Sequence, residues 1–121
     1  MSSQEKRPAH TPSSLRNIHD PTLNEIVRRL VAAVQPEAIF LFGSRARGEA
    51  TLDSDYDLLL LVSDNAEQLR AIQRRAYLSL SDLGIAADIV AMNHEFFNRR
   101  RQALASLPAT VEREGRLLYA A

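Results

Sequence analysis

Ala38-Ile39-Phe40-Leu41-Phe42-Gly43-Ser44-Arg45-Ala46-Arg47-Gly48, followed shortly by Asp53-Ser54-Asp55-Tyr56-Asp57-Leu58-Leu59-Leu60-Leu61-Val62, is the stretch that decides the fold. Residues 38–42 are a short, continuous apolar run that ends on a glycine, as a strand buried on both faces would. Residues 56–62 repeat that pattern. The small and charged residues between them read as a turn that opens at Gly43-Ser44. The connection of about a dozen residues allows either strand direction.

Working outward, Asp20-Pro21 reads as a helix start, because aspartate caps free N–H groups and proline is preset for the first turn. Leu23, Ile26, Val27, Leu30, Val31 and Val34 recur at helical spacing until Pro36 stops the run. Downstream, Asp64 with Glu67 resembles a capping box. Leu69, Ile72, Ala76 and Leu80 form the inward stripe of a helix that ends near Gly84. Residues 85–92 read as a third strand, residues 94–105 and 108–114 as two more helices, and residues 117–119 as a short edge strand. The expected fold is α/β (α+β), a small mixed β-sheet flanked by helices. Residues 1–19 read as a flexible lead-in, and residues 20–121 as a single domain.

Composition narrows the function. Lys+Arg and Asp+Glu are both 15, so the chain lacks the basic excess of a dedicated nucleic-acid binder. There is no cysteine, so disulfides and thiolate metal sites are excluded. No apolar run approaches the roughly 18–20 residues of a membrane span, and no signal-peptide core is visible. The expectation is a cytoplasmic protein. Arginines cluster at 28–29, 74–75 and 99–101, where solvated helix faces are the ordinary explanation.

The chemistry concentrates in the opening stretch. A strand running into Gly43-Ser44 and a short helix presents backbone N–H groups and a hydroxyl to phosphate oxygens. Arg45 or Arg47 could neutralise further phosphate charge. Asp55 and Asp57, two apart, point to one face if both are extended. At about 4 Å and an effective dielectric near 20, two carboxylates repel by about 4 kcal/mol, which a cation removes. Mg²⁺ suits such a pair, since it accepts few protein oxygens and completes its shell with water and triphosphate. An isolated Asp-x-Asp is more often a solvated turn. Asp88 adds weight as the one polar side chain within residues 85–91, where its charge is costly to bury without a partner or metal. A salt bridge to an arginine is the simpler account. Three carboxylates would instead hold two metal ions about 3.5–4 Å apart, and Asp88 could take the nucleophile's proton. Asp53 reads as part of the turn. His10, His19 and His94 show no ligand spacing, and Phe96 and Phe97 read as core.

At these residues the chain resembles the minimal nucleotidyltransferase (MNT) proteins of the DNA polymerase beta-like superfamily. Their signature is Gly-Ser, ten residues, then Asp-x-Asp, matched here by Gly43-Ser44, residues 45–54 and Asp55-Tyr56-Asp57. Arg45-Ala46-Arg47-Gly48 and Ser54 resemble the family's filling, and Asp88 its later strand carboxylate. The resemblance covers about residues 20–119. It implies a nucleotidyltransferase that uses ATP and Mg²⁺ (two ions), with Asp55, Asp57 and Asp88 as catalytic metal ligands and Gly43, Ser44, Arg45 and Arg47 at the nucleotide. Many such proteins pair with a helical HEPN toxin in a toxin–antitoxin system, and the family is associated with AMP transfer to a toxin tyrosine. That implies a hetero-oligomer with a HEPN partner and no direct nucleic-acid contact. Transfer to a small hydroxyl compound such as an aminoglycoside, or toxin binding without catalysis, are the alternatives. The sequence shows no second domain to hold a sugar, which favours a protein acceptor. Self-modification at Tyr56, Tyr77 or Tyr119 is also open.

Overall fold

The structure, a computed structural model, describes residues 20–63, 65–103 and 106–121. The expected lead-in, His10, His19 and Asp64 as a cap lie outside the described residues. In chain order the elements are α1 (Pro21–Val34), β1 (Ala38–Phe42), α2 (Gly43–Arg47), β2 (Tyr56–Val62), α3 (Ala66–Leu80), β3 (Ala87–Asn93), α4 (His94–Arg100), α5 (Leu107–Glu114) and β4 (Arg116–Ala120).

Helix boundaries follow local chemistry. Asp20 accepts hydrogen bonds from the N–H groups of Thr22 (2.9 Å) and Leu23 (3.1 Å), capping α1 as its sequence implied. At the other end Gln35 turns left-handed and returns its N–H to the Val31 carbonyl. Asn65 caps α3 by accepting from the Gln68 N–H at 3.2 Å. Asn93 and Ser106 cap α4 and α5 in the same way.

The four strands lie in the order β3-β2-β1-β4, with β1 antiparallel to β2 and β4, and β2 parallel to β3. The sheet is therefore mixed, and β2 is enclosed on both faces. Leu58, Leu59, Leu60 and Leu61 are all 0–3% exposed. Each such burial contributes roughly 1.5–3 kcal/mol, which is why β2 reads as an unbroken apolar run.

Side chains alternate between two layers. Ile39, Leu41, Leu58, Leu60, Ile89 and Leu118 meet α1 and α3 through Leu23, Ile26, Leu30, Ala76 and Leu80. Ala38, Leu59 and Leu61 turn to the opposite face, where Phe97 of α4 and Val111 of α5 cover them. There the Phe40 and Phe97 rings stack at 5.9 Å. This second face is covered less completely, since Phe40, Phe42, Val90 and Met92 stay partly exposed. It is also the face that carries Asp57 and Asp88.

Several boundaries depart from expectation, most by a residue or a few. β3 begins at Ala87 rather than residue 85, because β2 begins at Tyr56, whose ladder partner is Ala87. Helix α4 ends at Arg100, short of residue 105.

Candidate active site

Register brings the site together. Phe42 pairs with Asp57 across β1 and β2, so the chain leaves β1 beside that carboxylate. Gly43 then takes φ +75°, and a Cβ there would lie 2.1 Å from Asp57 Oδ2. Only glycine allows both the left-handed backbone and this approach. From Ser44 the chain winds into α2, whose first N–H groups have no partner within the helix. Ser44 is half-buried in that first turn.

On the other side of β2, Asp57 pairs with Asp88 of parallel β3. Paired residues point the same way from neighbouring strands about 4.8 Å apart. Asp55 precedes β2 and is exposed, while Asp57 is half-buried. Burial raises the Asp57 carboxyl above its ordinary value, the charges of Asp88 and Asp55 raise it further, and Arg47 partly offsets them. The charges of Asp88 and Asp55 are therefore both felt at Asp57.

Asp88 departs from the expectation of a buried charge. It is exposed, because β3 is an edge strand, and among the described residues no arginine or lysine forms an ion pair with it. Its Oδ1 instead accepts a 3.4 Å hydrogen bond from the Tyr77 hydroxyl.

The arginines have definite partners. Arg45 donates from Nε to the Ser54 carbonyl at 3.1 Å and lies 3.9 Å over the Tyr56 ring. It ties the turn before Asp55 to the start of α2. Arg47 pairs with Glu49 at 2.9 Å and with Glu114 of α5 at 3.4 Å, contacts that raise its pKa. Its charge still reaches Asp57. Asp53 lies exposed in the turn, its N–H donating to Thr51 Oγ1, and His94 pairs with Glu37 at 2.5 Å.

The donor set suits a hard cation shared with a ligand. Among the described residues no group of three or more His, Asp or Glu stands close enough together to hold a metal ion, so Asp55, Asp57 and Asp88 do not form a three-carboxylate site by themselves. Mg²⁺ does not require one, because it binds through one or two carboxylates and takes its remaining oxygens from phosphate and water. The half-buried Asp57, raised by burial and then by its neighbours' charge, is the group such a cation would relieve.

Sequence reasoning raised Tyr77 only as an open site of self-modification and missed its contact with Asp88, which depends on the packing of α3 against β3. It also missed a cavity of about 600 Å³ lined by Asp20, Thr22, Arg45, Ser54, Tyr56 and Ala86, among others. In that cavity wall the Tyr56 hydroxyl donates to Asp20 Oδ2 at 3.0 Å, so one carboxylate both caps α1 and holds the tyrosine beside Asp55.

A family model described as Polymerase beta, Nucleotidyltransferase matches residues 24–120. No curated protein matches the chain. Among solved structures, a toxin–antitoxin with AMP-PNP aligns at 24% identity and TM-score 0.56, covering 81% of this chain and 73% of that one. A protein of Sulfolobus solfataricus described as a nucleotidyltransferase aligns at 19% identity and TM-score 0.54, covering 98% and 93%. A complex of tri-AMPylated Shewanella oneidensis HEPN toxin with MNT antitoxin aligns at 21% identity and TM-score 0.52, covering 84% and 71%. At these identities the likeness is one of fold.

Proposed function

The chain belongs to the polymerase beta nucleotidyltransferase family, and from that premise we propose that it transfers AMP from ATP to a tyrosine of a partner HEPN toxin, acting as an antitoxin. The observation that carries the reading is the seating of Asp57 against the Gly43 backbone, side by side with Asp88. That juxtaposition puts a carboxylate pair beside a turn suited to phosphate, which a structural turn does not require.

Each residue takes a role from its place. Asp55 and Asp57 would hold Mg²⁺, with Asp88 completing the acidic set. When bound, the ion supplies positive charge to the triphosphate and to the leaving pyrophosphate. Gly43 and Ser44 present N–H groups and a hydroxyl to phosphate oxygens. Asp88 accepts the proton of the incoming hydroxyl as its oxygen bonds to the α-phosphorus and pyrophosphate departs. Arg47 lies within electrostatic reach of Asp57 and can exchange a surface glutamate for a phosphate. Arg45 is assigned to holding the residue 51–54 turn.

The acceptor rests on the neighbours. One structural relative holds AMP-PNP, and another is an MNT antitoxin bound to an AMPylated HEPN toxin. The proposed state is therefore a hetero-oligomer with a HEPN protein in the cytoplasm, where ATP is available. Among the described residues no helix is long and apolar enough to cross a membrane.

The test is incubation with Mg²⁺, ATP labelled at the α-phosphate, and the helical protein of the neighbouring reading frame, if it carries an Arg-x₄-His motif. Label on that protein, lost in Asp55→Ala and Asp57→Ala, is the expected result. Label on an added aminoglycoside instead would make the acceptor a small molecule. A tight unlabelled complex that survives both substitutions would make the protein a binding module.

A further inference from the structure

We infer that Tyr77 is a positioning residue that fixes Asp88 for the reaction, and that α3 carries it there as one half of a clamp on the open edge of the sheet. The inference rests on the nucleotidyl-transfer reading of the site. β3 is the outermost strand on its side, so alternate N–H groups point away from β2 and have no ladder partner. Two of them are met by side chains of α3. The Tyr77 hydroxyl oxygen accepts from the Ile89 N–H at 2.8 Å, and Gln73 Oε1 accepts from the Ala91 N–H at 2.9 Å. The spacings match, since four residues of helix rise about 6 Å and two residues of strand about 6.6 Å.

The two halves of the clamp differ in what else they do. Having accepted from Ile89, the Tyr77 hydroxyl still has its own proton, and Asp88 Oδ1 lies 3.4 Å away. The donated bond restrains a carboxylate that is otherwise exposed on an edge strand. Gln73 makes no such contact, so it closes the edge without touching the site. Tyr77 is 40% exposed, so its ring lies at the surface while its hydroxyl reaches the strand edge.

The experiment compares Tyr77→Phe with Gln73→Ala in the full chain, with the labelled-ATP transfer reaction as one readout. Phenylalanine keeps the ring and removes only the hydroxyl. The expected result is a kcat lower by about 10–100-fold in Tyr77→Phe, the scale typical of groups that orient a metal ligand or base. KM for ATP should stay near wild type, and Gln73→Ala should keep the wild-type kcat. In an Asp88→Asn background, Tyr77→Phe should cost nothing further. Amide exchange should quicken at Ile89 in the first variant and at Ala91 in the second, reporting that each clamp was cut. A wild-type rate in Tyr77→Phe, an equal loss in Gln73→Ala, or additive losses with Asp88→Asn would overturn the inference. So would AMP found on Tyr77 itself, which would make it an acceptor. If wild type transfers nothing, the functional reading fails separately, and Mn²⁺ titration still judges Tyr77. Several-fold weaker binding confined to Tyr77→Phe sustains the inference, and unchanged binding overturns it.

Discussion

Gly43 and Asp57 are bound together so closely that each constrains what the other can be. A methyl group at Gly43 would strike Asp57 Oδ2 and sit on a backbone at φ +75°. The backbone term costs about 1–2 kcal/mol. The contact costs little stability, because the far end of a side chain can move, but the movement displaces the carboxylate. Gly43→Ala should therefore lose transfer by at least about 100-fold, the scale of a small misplacement in a catalytic site, while melting only a few degrees lower. Parallel melting curves and rate assays check this. Asp57 itself is held against preference, with its carboxyl raised first by burial and then by Asp88 and Asp55. A raised carboxyl favours the folded state below its ordinary value of 3.8 and loses that contribution as pH rises through the folded value. Asp57→Asn stays neutral throughout. Without divalent cation it should be more stable than wild type at pH 7, by at most about 1 kcal/mol, and the gap should close towards pH 3 in a series of denaturant melts. At this scale the spacing of Gly43, Ser44, Asp55 and Asp57 was legible because it lies within one local stretch. The exposure of Asp88, the hold of Arg45 on Ser54 and the hydroxyl of Tyr77 were not. Each depends on which element becomes an edge or a neighbour.

Elements whose burial is simple were legible to the residue. β1 and β2 matched their apolar runs, because both lie inside the sheet and carry apolar side chains on both faces. The start of β3 was misread because Ile85 and Ala86 line a cavity wall, where apolar side chains need no strand partner. Between elements, charge acts where sequence distance hides it. Glu25 and Arg28 pair within α1, and Arg29 links Glu25 at 2.8 Å to Asp82 just beyond α3, also donating to the Ser79 carbonyl at 3.1 Å. Hydrogen bonds from Arg28 and then Arg29 hold the Glu25 carboxyl down to about 2, from 4.5. The bond from Arg29 lowers Asp82 as well. A lowered carboxyl contributes stability that is complete above its unfolded value and is lost as pH falls through the folded one. Wild type should therefore lose stability between about pH 4.5 and pH 2 faster than Glu25→Gln does. The two melting-temperature curves, separated at pH 7, should converge near pH 2. Curves that stay parallel across that range would show the α1–α3 network to be energetically idle.

The molecule as a whole is asymmetric. α1 and α3 seal one face of the sheet, while α4 and α5 leave the other open enough for Asp57 and Asp88 to reach solvent. The strand order that makes this so, with β2 parallel to β3 and antiparallel to β1, was not written in any periodicity. It follows from which strands share partners. With formal net charge zero, the chain has no net positive charge to draw a triphosphate from a distance. Affinity for nucleotide must come from local groups and from the cation they share. Binding then couples to folding, because carboxylates that repel when alone are reconciled by a ligand that only the folded state assembles. Mg²⁺ and ATP together, at about 100 times their dissociation constant, should stabilise the chain by about 2.7 kcal/mol. For a domain of this size that is a melting-temperature rise on the order of 10 °C. Either component alone should give a small fraction of the shift, since the acids repel uncompensated triphosphate and the triphosphate supplies the cation's missing oxygens. Asp57→Ala should abolish the joint shift without lowering the ligand-free melting temperature. A joint shift that persists in Asp57→Ala would place nucleotide binding elsewhere on the molecule and detach the acidic pair from it.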